Sequence, residues 1–175
     1  MKNIGKKIIN KLKYEWKHYW ALYSSIIIII ILFNTVFTIA IIPSESMENT
    51  LHIGDIAIGY RLCDDYKRGD IIGFRDPNNS HRILCKRIIG IGGDHVQITE
   101  TEIYINGELI DEPYKKEEVS VWGARDYYVP EGCVLVLGDN RNNSKDSRFW
   151  TDPYIKVEDI QSKLIMNIVP IEKIY

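Results

Sequence analysis

Two serines stand one residue apart in the stretch P-S-E-S-M-E-N-T-L, as Ser44 and Ser46. A serine hydroxyl becomes a working nucleophile only when a neighbouring base takes its proton, and a neutral lysine is one of the side chains able to do so. A candidate lies further along, in H-R-I-L-C-K-R-I-I-G-I-G-G-D, residues 81–94. There Lys86 and Arg87 interrupt an aliphatic run that reads as a buried strand. Strand neighbours alternate faces, so one of the two bases is expected to point inward with Leu84 and Ile88. Moving an amine from about 10.4 to about 8 takes roughly 3 kcal/mol of destabilisation of its charged form, which a few aliphatic walls supply. The plain alternatives are a serine-bearing turn after Pro43 and an edge strand whose bases reach solvent.

A third polar stretch, L-G-D-N-R-N-N-S-K-D-S-R-F-W, occupies residues 137–150. Ser144, Asp146 and Arg148 alternate along it, which would send them to one side. A serine there suits the task of orienting an amine, and Asp146 with Arg148 suits a charge-assisted brace. The alternative is a solvated turn. A histidine-based triad fits less well. His52, His81 and His95 lie outside any serine box, and His95 points away from its neighbour Asp94 if both sit in a strand. Cys63, Cys85 and Cys133 form an odd set without C-x-x-C spacing. They indicate neither a disulfide framework nor a zinc site, and are expected as small, buried side chains. No cofactor and no metal are expected.

These residues need elements to hold them. Residues 1–18 carry six lysines against Glu15, and the remainder carries 16 bases against 23 acids. Such asymmetry suggests two different surroundings. No charge occurs from residue 19 to residue 44, and residues 26–32 are continuously aliphatic. At ~1.5 Å per residue a helix of that length exceeds the ~30 Å hydrocarbon core of a bilayer. Trp16, Tyr19, Trp20 and Tyr23 cluster at its entry, as interfacial aromatics do, and the preceding lysines favour a cytoplasmic N-terminus. A cleaved secretory signal is the competing reading, but its apolar core would span only about 7–15 residues. The expected organisation is a basic cytoplasmic segment (1–18), a transmembrane anchor (19–42) and an extracytoplasmic domain (43–175).

The outer domain reads as mostly β. Short β-branched runs alternate with turn signals such as Gly69-Asp70, Gly92-Gly93-Asp94 and Pro130-Glu131-Gly132. The clearest hairpin is E-I-Y-I-N-G-E-L-I, with Asn106-Gly107 suited to a type I′ turn. No segment beyond the anchor keeps a helical period over a dozen residues. Residues 114–125 interrupt the pattern as a charged loop, and Trp122 within it is expected in the core.

Together the three polar stretches resemble the type I signal peptidases, membrane-bound Ser/Lys endopeptidases. The nucleophile box stands as P-S-E-S-M-E-N-T-L followed by H-I-G-D, residues 43–55. The base box stands as G-D-I-I-G-F (69–74) and K-R-I-I-G-I-G-G-D (86–94), and the closing box as G-D-N-R-N-N-S-K-D-S-R (138–148). The boxes follow the family's order and span the domain. The resemblance implies a β-barrel-like, β-sheet catalytic domain of the signal peptidase type behind one N-terminal transmembrane helix. It makes Ser46 the nucleophile and Lys86 the general base. It makes Ser44 and the backbone N–H of Ser46 the oxyanion donors, and Ser144, Asp146 and Arg148 the supporting residues. Arg87 reads as structural. The substrates implied are exported preproteins whose signal peptides carry small residues, mainly Ala, at the first and third positions before the cut. The bilayer is the other implied partner, and no nucleic acid is implied. The single anchor and the Ile- and Lys-rich composition look like a Gram-positive form. Two departures stand out, Asn49 and Gly92-Gly93, where the family often has proline; Glu48 adds a charge beside the nucleophile. The alternatives are a degenerate scaffold homologue, which should lack Ser46 or Lys86, and a self-cleaving Ser/Lys regulatory protease, which should bring a DNA-binding segment.

Overall fold

The apolar run folds first as α1, an α-helix over Lys2–Val36, 35 residues long. At ~1.5 Å per residue it extends about 52 Å. Every side chain from Ile26 to Leu32 is at least 45% exposed. Its few polar side chains turn back on the helix: Asn34 Nδ2 donates to the Ile30 carbonyl and Thr35 Oγ1 to that of Ile31, both at 2.8 Å. The helix is long and apolar enough to cross a membrane. It stops earlier than the expected anchor boundary at residue 42. Residues Phe37–Ile41 form strand β1 instead, because the alternating, β-branched F-T-I-A-I finds a pairing partner further along the chain. Hydropathy does not distinguish a helix long enough to cross a membrane from a sheet edge, and the apolar run continues from the helix into the strand.

The computed structural model describes residues 2–117 and 124–168. It divides into two units, residues 1–36 and residues 37–175. The expectation for Trp122 falls outside the described residues. The second unit is mostly β. After β1 come β2 Ile56–Tyr60, β3 Ile71–Asp76, β4 Asn79–Ile91, β5 His95–Ile98, β6 Ile103–Ile105, β7 Glu108–Leu109, β8 Arg125–Tyr128, β9 Cys133–Leu137, β10 Tyr154–Lys156 and β11 Ile160–Ile168. They build a seven-stranded sheet, ordered β1-β2-β11-β3-β4-β9-β10, and a four-stranded sheet, ordered β7-β6-β5-β8. The sheets stay separate rather than closing into one barrel. The β6–β7 turn has φ of 54° at Asn106 and 86° at Gly107, the paired positive values of a type I′ hairpin.

Strand β9 shows how the core is shared. Leu135 and Leu137 pack with Val96, Ile98, Ile103 and Ile105 of the small sheet. Val134 and Val136 face the other way, onto Ile72, Phe74, Ile88 and Trp150. A strand buried on both faces reads as a continuous apolar run rather than an alternating one, which is how C-V-L-V-L reads. A third cluster matters more for function. Ile42, Met47, Leu51 and Ala57 pack together under Cys85 and Leu164, which seats the loop between β1 and β2 on the sheet.

Candidate active site

That loop is closed at its base, where the Ile42 amide donates to the Asp55 carbonyl (2.9 Å) and the Gly54 amide to that of Ile42 (2.9 Å). Within it, Glu45–Met47 form one 3-10 turn. Met47 to Thr50 then form a type II turn. The Thr50 amide reaches the Met47 carbonyl at 3.0 Å, and Asn49 takes a φ of 85°. Met47, 1% exposed, plugs into the third cluster and holds Ser46 at the surface of the sheet. Ser44 occupies the N-cap position of the 3-10 turn but makes no side-chain cap bond. Its Oγ lies 3.3 Å from Ser46 Oγ instead.

Lys86 reaches the same hydroxyl from β4. Its Nζ lies 2.6 Å from Ser46 Oγ and donates to the Cys85 carbonyl at 2.9 Å. The lysine is 3% exposed. Burial lowers its pKa below the ordinary lysine value and the charge of Arg82 pushes the same way, against the opposing pull of Asp146 and Asp139. Desolvation that disfavours the ammonium form leaves an amine whose lone pair can receive a proton. The Cys85 thiol, lining the same cleft, is pushed up to about 12, first by burial. It is therefore held as a thiol and does not compete as a nucleophile.

Two buried ion pairs brace this arrangement. Arg148 grips the fully buried Asp146 through Nε and Nη2, both at 2.7 Å. Asp146 also accepts the Gly138 amide at 3.0 Å, and Arg148 donates to the Arg141 carbonyl at 2.9 Å. The second pair joins the two boxes directly. Arg87 holds both carboxylate oxygens of Asp139 at 2.8 and 2.6 Å, while Asp139 Oδ2 accepts the Thr50 hydroxyl at 2.5 Å. The Asn140 amide in turn donates to the Ser46 carbonyl at 3.2 Å. Asp139 thus ties the base strand, the nucleophile loop and the closing loop together. Both Lys86 and Arg87 are buried, on opposite sides of β4, one against a hydroxyl and the other against a carboxylate.

A profile described as signal peptidase, peptidase S26, matches residues 15–169. The chain belongs to the signal peptidase family. It is 37% identical over 145 residues to a probable signal peptidase I-2 of Synechocystis, the match covering 76% of this chain and 63% of the relative. With a signal peptidase I of Pseudomonas aeruginosa it shares 34% identity, the chain spanning 55% of that relative's length. A signal peptidase I of Bacillus caldolyticus is 30% identical over 170 residues, covering 88% of this chain and 91% of the relative. Among solved structures, a signal peptidase I from Enterococcus faecalis superimposes with a TM-score of 0.50 at 31% identity, covering 59% of this chain and all of that one.

The structure refines what each expected site residue touches. Ser46, Lys86 and Ser44 come together, and Asp146 and Arg148 pair behind them. Ser144 does not hold the amine: its buried Oγ has no hydrogen-bond partner among the described residues, and Lys86 is held by the Cys85 carbonyl. Glu48 does not face the cleft as a lone charge but pairs with Lys116. The prolines missing at Asn49 and Gly93 are explained by φ values of 85° and 87°, outside the range a proline ring permits. Asp139, inside the closing box, carries no signal of its own. The signal for it was Arg87, since an arginine buried in an aliphatic strand requires a carboxylate.

Removing Asp139 strands the Arg87 charge. Asp139→Ala is expected to cost about 3–5 kcal/mol of stability, the usual penalty for breaking a buried pair from one side. Denaturant unfolding of the detergent-solubilised protein measures it. The double replacement Arg87→Met, Asp139→Leu should recover most of the loss, since neither member of this pair is then left charged and unpartnered.

Proposed function

We propose that this chain is a membrane-anchored serine endopeptidase that removes signal peptides from exported preproteins through a Ser46/Lys86 dyad. The observation that carries the reading is the 2.6 Å approach of a 3%-exposed lysine amine to a serine hydroxyl. The neutral Lys86 takes the Ser46 proton as Oγ attacks the carbonyl carbon of the scissile bond. The resulting oxyanion is stabilised by the Ser44 hydroxyl and the Ser46 backbone N–H. Lys86, now charged, returns its proton to the leaving amine. Water then repeats the cycle on the acyl-enzyme. Ser144, beside Gly138 and the Ser46 carbonyl, shapes the wall behind the nucleophile, with Asp146 and Arg148 fixing that wall.

The cleft suits the substrate. A hollow of about 290 Å³ runs beside β1 and β4, lined by Ile39, Ile41, Met47, Cys85 and Leu164 among others. Its floor lacks side chains at Gly59 and Gly73, which flank Ser162. Strand β1 is the outer strand of its sheet among the described residues; that edge offers main-chain groups to an extended substrate, and the hollow offers room for small apolar residues before the cut. Helix α1 would serve as the anchor, with the lysine-rich N-terminus in the cytoplasm and the β domain outside. Holding the enzyme in the bilayer that holds the substrate's own apolar segment replaces a three-dimensional search with a local one.

The test is purified full-length protein in detergent with a synthetic preprotein, the products read by mass spectrometry. One cut is expected, after a small residue with another small residue two positions earlier. Undiminished cleavage by Ser46→Ala would end the assignment.

A further inference from the structure

The cleft opens on both sides of Ser46, and the two sides differ in chemistry. The apolar hollow just described lies on one side. A second hollow, about 210 Å³, shares Ser44, Ser46, Leu84, Lys86 and Arg82 with it. From there it runs on past Asp76, Asn78, Asn143, Lys145 and Trp150. An extended peptide with its scissile bond at Ser46 and small residues in the apolar hollow must leave through this second one.

Two cations line it. Arg82 lies four residues before Lys86 on β4, on the same face as Leu84 and Lys86, and its charge is close enough to act on the Lys86 amine. Lys145 stands in the closing loop between Ser144 and Asp146, with its side chain exposed. Among the described residues neither Arg82 nor Lys145 forms an ion pair. Two carboxylates lie nearby, each held by a neutral amide rather than by a cation. Asp76 accepts the Asn78 amide at 2.8 Å in the β3–β4 turn, and Glu45 accepts from Asn143 Nδ2 at 2.9 Å. Neither cation has a carboxylate partner among the described residues, and Trp150 supplies an apolar back wall.

We propose that this second hollow receives the first residues of the released mature chain and favours an acidic side chain there, paired with Lys145 and with Arg82 beside it. The inference rests on the peptidase reading and adds a determinant of specificity after the cut. It makes the enzyme select on both sides of the scissile bond, by size before it and by charge after it.

The test uses full-length protein in detergent and three peptides identical up to the cut, with Glu, Gln or Lys as the second residue after it. Expected kcat/KM falls in the order Glu, Gln, Lys by about threefold per step, the range of a solvent-exposed ion pair. The spread should shrink at about 1 M salt, where exposed charges are screened. Lys145→Glu should raise the Lys peptide above the Glu peptide. Equal kcat/KM for all three peptides on the wild type overturns the proposal, as does an unchanged order in Lys145→Glu. Charge selectivity confined to residues before the cut also overturns it, because the hollow would then serve the other side. Should Lys145→Glu fail to fold, the wild-type series and its salt dependence decide alone. Cleavage that survives Ser46→Ala removes the peptidase reading, and this inference with it; Ser46-dependent cleavage without charge preference removes only the inference.

Discussion

Lys86→Ala is expected to lower kcat for preprotein cleavage by about 10⁴-fold, the upper range for losing a positioned general base. The amine is the only ionisable group at hydrogen-bond distance from Ser46 Oγ among the described residues. KM should change less than kcat, because Lys86 lines the two hollows only where they meet at the reacting atoms. Ser46→Ala should fall to the same residual level. The double variant Ser46→Ala, Lys86→Ala should be no slower than either single one, since groups acting as one unit are strongly non-additive. A double variant markedly slower than both would mean that the two side chains act separately. Lys86→Arg should not rescue, because a guanidinium stays protonated and offers no lone pair.

The same burial sets two pH dependences, both rising with pH. The Lys86 pKa is lowered, chiefly by desolvation, so the neutral, working form appears as pH rises through that lowered value. The kcat/KM profile should therefore have an ascending limb centred below the ordinary lysine value of about 10.4. For stability the sign follows from proton counting. Between the lowered folded pKa and about 10.4, the unfolded chain binds a proton that the folded chain does not, and stability rises with pH across that window. Lys86→Met, which buries no amine, should flatten that rise and unfold at higher denaturant at neutral pH. An inactive variant more stable than its parent is the expected signature of a strained catalytic group.

Much of the site was legible because its chemistry is written in short, contiguous stretches. Ser44 and Ser46 are neighbours, and Lys86 announces itself by interrupting an aliphatic strand. Asp146 and Arg148 are two residues apart, and their pairing needs no knowledge of the fold. What remained hidden depends on contacts between distant stretches. Asp139 meets Arg87 and Thr50 only after β4 and β9 pair and the nucleophile loop folds over them. The lysine's second partner is a backbone carbonyl, that of Cys85, and carbonyls carry no sequence signature. The helix end at Val36 was obscured because F-T-I-A-I suits a bilayer and a sheet edge equally well. The Asn106-Gly107 hairpin was readable for the opposite reason, since its turn geometry is local.

Gly138→Ala is expected to disable the enzyme without touching any group that does chemistry. A methyl group built at Gly138 would lie 2.4 Å from the Ser46 carbonyl oxygen and 2.2 Å from Ser144 Oγ. The Ser144 hydroxyl can rotate away, but its Cβ, at 2.5 Å, stays in place, and the carbonyl belongs to the nucleophile's own backbone and is already pinned by the Asn140 amide at 3.2 Å. Behind Gly138 there is no room to retreat, because its amide donates to the fully buried Asp146. Relief must come from moving Ser46, whose loop is short and plugged by Met47. A displacement on the order of 1 Å at the reacting atom costs roughly 10²-fold in rate. Gly138→Ala should thus lose about 10²-fold in kcat while Lys86 keeps its depressed pKa, visible as an ascending pH limb that has not moved. Pairing it with Ser144→Gly removes both overlaps with the Ser144 side chain and leaves the backbone one. The double variant should therefore stay slow. Full recovery in that double variant would show that Ser144, rather than the Ser46 backbone, is what the glycine makes room for.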